Sequence, residues 1–335
     1  MADSLYGAEQ ARGVWVWLEH DGELLASVSL ELLAKGRELA DKAGEPLTGF
    51  ILGHEAGSLA EEALSRGVDE IVLGENPLLK NYTTDLYCAA AAEAVLKHKP
   101  NLLLLGATPD GRDLAGRLAV RLRTGLTADC TNMEMKPEDP SLLLSEVTGF
   151  GGGIAAIIAC LRHRPQMATV RPGVFLAAAP AKKPGAALRR FSPGLEGVPR
   201  RAEIVERSIG AEVDITKAKF MVIGGRGIRG EFGLLMELAG LMGAEIGASR
   251  VAVDEGWIGK EHMVGQTGFV TRPKLALICG VSGALQFTVG VASAETVVAI
   301  NLDRSAPIFE SADYCVAQDL FKVLPPLIKE LRNSK

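Results

Sequence analysis

Hydrophobic positions along the chain fall into short unbroken runs set between segments of three- and four-residue periodicity. Val14–Leu18, Leu47–Leu52, Glu70–Leu73 and Leu102–Leu105 are continuously apolar rather than alternating, which predicts strands covered on both faces of a parallel sheet. Leu30–Leu39, Ser58–Ser65 and Thr84–Lys97 carry apolar residues at helical spacing. The alternation predicts a doubly wound α/β domain for the N-terminal half. From Gly149 to Val174 the pattern turns to short strands, and Ala177–Arg201 has the Ala, Pro, Lys, Arg and Gly content of a linker. The run Ala202–Glu206 reads as one more strand of the first domain. These boundaries place an N-terminal domain over residues 1–206 and a C-terminal one over 213–331.

The second domain repeats a different unit, a buried strand followed by a glycine-rich turn. Phe220–Ile223 leads into Gly224-Gly225-Arg226-Gly227-Ile228-Arg229-Gly230 and a helical pattern from Phe232 to Leu241. Val264-Gly265-Gln266-Thr267-Gly268 forms a second such turn. Leu275–Cys279 leads into Gly280-Val281-Ser282-Gly283-Ala284-Leu285-Gln286. Turns of this kind present backbone N–H groups at a helix start, where phosphate is favoured. A glycine at one turn also serves tight packing, so the three together, rather than any single one, predict a cofactor-sized site.

Size and charge narrow the class. A chain of 335 residues exceeds one ordinary core, and a net charge of −5 with 23% charged residues suits a globular protein without a nucleic-acid partner. Membrane insertion is not expected, because no apolar run approaches the roughly twenty residues of a spanning helix. Met1–Ser4 lack a basic segment followed by an apolar one, so the expected location is cytoplasmic. Cys88, Cys130, Cys160, Cys279 and Cys315 form no C-x-x-C pair and read as buried thiols. The five histidines show no metal spacing, so no metal site is expected.

Several segments follow one another in a familiar order: Ser249-Arg250, Val264–Gly268, Ser282–Gln286, Ala299-Ile300-Asn301, and Ala306-Pro307-Ile308-Phe309 through Asp319-Leu320-Phe321. This series resembles the electron-transfer flavoprotein alpha subunit, specifically over about residues 219–331 and more loosely through the N-terminal half. The resemblance implies an adenine-nucleotide-hydrolase-like N-terminal domain, without a nucleotide of its own, that supports a partner. It implies a Rossmann-like C-terminal domain that binds FAD, and a heterodimer with a beta subunit. Electrons would pass from a donor flavin in the beta subunit or a dehydrogenase to an acyl-CoA dehydrogenase or quinone oxidoreductase. Thr124–Cys130 and Arg164–Pro172 look like segments of alpha subunits that take part in electron bifurcation from NADH, though both fit strand and rim packing equally. The loop Gly106–Asp113 lies where open parallel sheets bind ligands, but no P-loop pattern accompanies it.

The resemblance also assigns roles. Arg226 and the Ser282-Gly283-Ala284 turn suit the diphosphate, since guanidinium pairs with phosphate oxygens in a fixed fork. Asn301, Asp319 and Leu320 match positions around the adenosine portion; taken alone, Asp319 is a helix cap. Near the ring, Arg250 supplies positive charge where reduced flavin is negative, and Thr267 supplies a hydroxyl for N5. Gln266 and Gln286 offer amides, while Ser249, Val264, Gly265 and Leu285 complete the matched segments. Phe287 departs from the family, which has a histidine donating to flavin O2 there. A nicotinamide-dependent dehydrogenase built on Gly225–Gly230 is the alternative. Glu245 would be its only acid near the ribose spacing, and no catalytic constellation accompanies it.

Overall fold

The computed structural model describes residues 5–149, 154–177, 183–205 and 215–333, which divide into two compact units before and after residues 206–214. The expected domain boundary lies outside the described residues. Ten strands belong to the first unit: β1 (Val14–Trp17), β2 (Leu47–Gly53), β3 (Glu70–Glu75), β4 (Leu102–Gly106), β5 (Leu126–Cys130), β6 (Asn132–Lys136), β7 (Asp139–Gly149), β8 (Ile154–Ile158), β9 (Gln166–Val170) and β10 (Ala187–Phe191). Seven of them form one parallel sheet in the order β10-β3-β2-β1-β4-β9-β5, and β6, β7 and β8 form a separate antiparallel ribbon.

The unbroken apolar strands are explained by helices on both faces. Val14, Val16, Ile51 and Ile71 point into a core with α1 (Ser27–Ala43) and α2 (Gly57–Leu64). Trp15, Trp17, Phe50 and Val72 point the other way, into α3 (Thr84–His98) and α4 (Pro109–Leu122). Strand residues alternate between faces, so both sets must be apolar when both faces are covered. The loop from Gly106 satisfies itself: Thr108 Oγ1 accepts from the Gly111 N–H at 2.9 Å and donates to Glu19 Oε2 at 2.6 Å.

Two expectations fail at the edge of this sheet. Ala177–Arg201, read as a linker, contains β10, which pairs in parallel with β3. Its arginines hid it: Arg189 pairs with Glu70, and Arg190 meets Glu75 at 2.5 Å, while Leu188 and Phe191 pack against the two cores. An edge strand tolerates charge because one side faces water. Conversely, residues 202–205 form no strand, and Glu206 lies outside the described residues. Thr124–Cys130 and Arg164–Pro172 contain β5 and β9, which run side by side, with the Asp129 N–H donating to Thr169 Oγ1 at 3.0 Å.

The second unit contains β11 (Phe220–Gly224), α5 (Phe232–Met242), β12 (Glu245–Ala248), α6 (Arg250–Asp254), β13 (Leu275–Cys279), α7 (Leu285–Thr288), β14 (Val297–Asn301), β15 (Tyr314–Ala317) and α8 (Leu320–Asn333). All neighbouring strands run parallel in the order β12-β11-β13-β14-β15. The strand order reverses between β11 and β13. In an open α/β sheet a crevice opens at that point, outside the carboxyl ends of the strands. The helix expected after Gly280 is only the four-residue α7, so its macrodipole is small. None of the described helices is long and apolar enough to cross a membrane.

Candidate cofactor cleft

The crevice predicted by the strand order is occupied by a cleft of about 650 Å³, within the range of cofactor sites. Arg226 and Gly227 enter it from the turn after β11, Ser249 and Arg250 from the start of α6, and Ser282 and Ala284 from the turn after β13. Val264, Gly265, Gln266 and Thr267 form one wall with Gln286 and Phe287, and Asn301 closes the end beyond β14. The structure thus brings together most of the residues singled out in sequence. Gly283, Leu285, Asp319 and Leu320 are not part of the lining.

Those four have other work. A Cβ on Gly283 would lie 2.2 Å from the Ile308 nitrogen, so this position lets two backbones touch. Leu285 is exposed on α7. Asp319 accepts from the Phe321 N–H at 3.0 Å and caps α8, while Leu320 is buried in the core between α8 and the sheet.

The first glycine turn is not built like a dinucleotide fingerprint. Residues 226–228 form a 3₁₀ turn, and Gly225 and Gly227 lie against the Gly280 backbone, donating to the Cys279 and Gly280 carbonyls at 2.9 Å each. The two turns lock together, which leaves Arg226 exposed at the cleft. Ser282, Gly283 and Ala284 are different. Among the described residues, none of their backbone N–H groups donates to another residue, so Ser282 and Ala284, which line the cleft, keep donors for an anion.

The opposite wall is fixed by backbone. Gln266 N–H donates to the Gln286 carbonyl at 2.7 Å and Gly265 N–H to Phe269 at 3.0 Å, which tethers the Thr267 loop to α7. Thr267 and Gln286 are exposed at the cleft, and Gln266 is half-buried. Asn301 Nδ2 donates to the Val281 carbonyl at 2.8 Å and its Oδ1 accepts from the Asp303 N–H at 3.0 Å. Asn301 therefore braces the turn after β13 as well as lining the cleft. Phe287 also lines this wall, yet the residue is only 7% exposed and belongs to the buried cluster that includes Val264, Val281, Val291 and Ile308.

Gly227, Gly280, Val281, Ala306 and Pro307, which the sequence places in the glycine turns and matched segments without individual roles, also line the cleft, as do Val251 and Asp303. The strand-end rule accounts for Asp303, which follows β14. Burial pushes the Cys279 thiol up to about 12, so it is a packing residue and not a reactive thiolate. Cys315 is exposed and Cys160 half-buried, against the expectation that every cysteine is buried. Among the described residues no group of His, Cys, Asp or Glu could hold a metal ion.

Exposed arginines, the free N–H donors of Ser282 and Ala284 and neutral amide and hydroxyl groups on the facing wall suit a large anionic ligand. Comparison with known proteins specifies which. Residues 14–193 match the electron transfer flavoprotein domain, and residues 214–292 match the electron transfer flavoprotein FAD-binding domain. An electron transfer flavoprotein subunit alpha of Thermoanaerobacterium thermosaccharolyticum is 42% identical over 97% of this chain and 99% of its own length. The namesake subunit of Clostridium acetobutylicum is 42% identical over 96% and 98%. The acryloyl-CoA reductase electron transfer subunit beta of Anaerotignum propionicum is 36% identical over 97% and 96%. The chain belongs to the electron transfer flavoprotein alpha-subunit family, an FAD-binding family whose members pair with a beta subunit.

Proposed function

We propose that this chain is the FAD-bearing half of a cytoplasmic heterodimer that takes electrons from a donor flavin in the beta subunit or a dehydrogenase. It delivers them to an acyl-CoA dehydrogenase or a quinone oxidoreductase, either by plain electron transfer or within NADH-driven bifurcation. The observation that carries this reading is the cleft itself, which gathers Arg226, Arg250, Thr267 and the free N–H groups of Ser282 and Ala284 at the strand-order reversal. Bound FAD supplies one- and two-electron chemistry.

The residues divide the remaining tasks. Arg226 and the N–H groups of Ser282 and Ala284 hold the diphosphate. Arg250 places a positive charge in the cleft, which favours an electron-rich ring over an electron-poor one. Thr267 and Gln266 present donors from a loop that its backbone bonds hold still, and Gln286 does so from α7. No residue here breaks or forms a bond in a substrate.

The test is the visible spectrum of the heterodimer purified with its beta subunit, followed by reduction with NADH. Two flavins per heterodimer and reduction by NADH are expected for bifurcation. One flavin, inert to NADH but reduced by an acyl-CoA dehydrogenase, would leave plain electron transfer. A colourless heterodimer that does not bind added FAD would overturn the reading.

A further inference from the structure

Arg250 reaches the cleft from the first residue of α6, and the last residue of that helix, Asp254, holds it: Nε donates to Asp254 Oδ2 at 3.2 Å. The helix itself is firmly seated. Ser249 N–H donates to the Gly224 carbonyl at 2.9 Å, Trp257 N–H donates to Ala252 at 3.1 Å, and Ala252 is fully buried. The Arg250 backbone is therefore fixed, whereas its guanidinium sits at the end of a flexible stem with 68% of the side chain exposed.

The pair does not serve the helix. A cation at the first position and an anion at the last oppose the helix dipole, and a basic residue four places before an acidic one is the weaker order for such a pair. An exposed ion pair of this kind also adds little stability. Its consequence falls on the cleft, which Arg250 lines and Asp254 does not.

We propose that Asp254 is a positioning residue that orients Arg250 and offsets part of its charge, and so sets how strongly this arginine biases the flavin potential. This rests on the reading of Arg250 as the cleft's charge for the ring. Asparagine can still accept the Nε–H bond but carries no charge, so Asp254→Asn separates orientation from offset.

The experiment is a reductive titration of the FAD-loaded heterodimer against a reference dye, with melting temperatures in parallel. Asp254→Asn is expected to favour the reduced flavin about threefold per electron, about 30 mV for a one-electron couple. Its melting temperature should match the parent. Arg250→Ala should shift the potential downward, and adding Asp254→Asn to Arg250→Ala should change nothing more. A lowered potential in Arg250→Ala together with a parental potential in Asp254→Asn would overturn this proposal alone. A parental potential in Arg250→Ala would overturn the role of Arg250 itself, and this proposal with it.

Discussion

Gly227 and Gly280 each occupy the space a side chain on the other would need: a Cβ on Gly227 would stand 2.7 Å from the Gly280 Cα, and one on Gly280 2.8 Å from the Gly227 Cα. The two glycine turns are thus one interlocked unit, and the residues they present to the cleft depend on that contact. Gly280 also has a φ of +64°, which L residues seldom adopt. Gly280→Ala should therefore combine a backbone clash with left-handed strain, about 2–4 kcal/mol. The expected result is a melting temperature lowered by roughly ten degrees and loss of FAD on gel filtration. Gly233→Ala is the control, since nothing lies within 4 Å of the added methyl in α5 and a helical alanine replaces a helical glycine.

Arg226 carries a separate prediction, because its role is binding and not packing. Removing one charge-assisted bond to a diphosphate should weaken FAD about ten- to a hundredfold. Arg226→Lys should recover only part of this, since an ammonium cannot form the two parallel bonds of a guanidinium. Fluorescence titration with FAD measures both. Unchanged affinity in Arg226→Ala would remove Arg226 from the phosphate site.

Much of this organisation was legible in the sequence for a definable reason. Buried parallel strands demand unbroken apolar runs, so β1 to β4 and β11, β13 and β14 announce themselves, and their glycine turns follow. What escaped was set by tertiary partners. β10 looks like a linker until Glu70 and Glu75 stand opposite its arginines. Gly225 and Gly227 look like a phosphate loop until Gly280 is seen against them. Asp319 matches a motif position and Phe287 stands at one while departing from it, but spacing does not say what either side chain packs against. Family resemblance supplied the matched residues, and packing then separated cleft from support.

Asp69 tests the coupling of the first unit's edge to pH. Burial alone would raise its carboxyl, but Lys183, the Leu47 N–H and Arg37 outweigh that and pull it down to about 2. A carboxylate depressed in the folded state stabilises above the unfolded value near 3.9 and loses that contribution as pH falls toward 2. Asp69→Asn should lower the melting temperature by a few degrees at pH 7, and the gap to the parent should close between about pH 4 and pH 2. A gap independent of pH would mean that the amide disturbs packing and that the charge contributes nothing.

Phe287 is the position where resemblance and packing give opposite forecasts. A histidine in the family's place would donate to flavin O2, but Phe287 is nearly buried, in the same core cluster as Val264, Val281, Val291 and Ile308. Its backbone cannot easily turn it outward, since its N–H donates to Ala284 at 2.8 Å and its carbonyl accepts from Gly290 at 2.9 Å. Phe287→His should therefore bury an imidazole without partners, at about 1–3 kcal/mol. Such a histidine resists protonation when folded, so its folded pKa falls below the unfolded value near 6.5. Stability then drops further as pH falls through about 6.5, because the unfolded chain takes up the proton more readily. The expected outcome is a melting deficit that widens from pH 8 to pH 5, with the flavin titration matching the parent. A raised potential with near-parental melting would show instead that residue 287 faces the flavin.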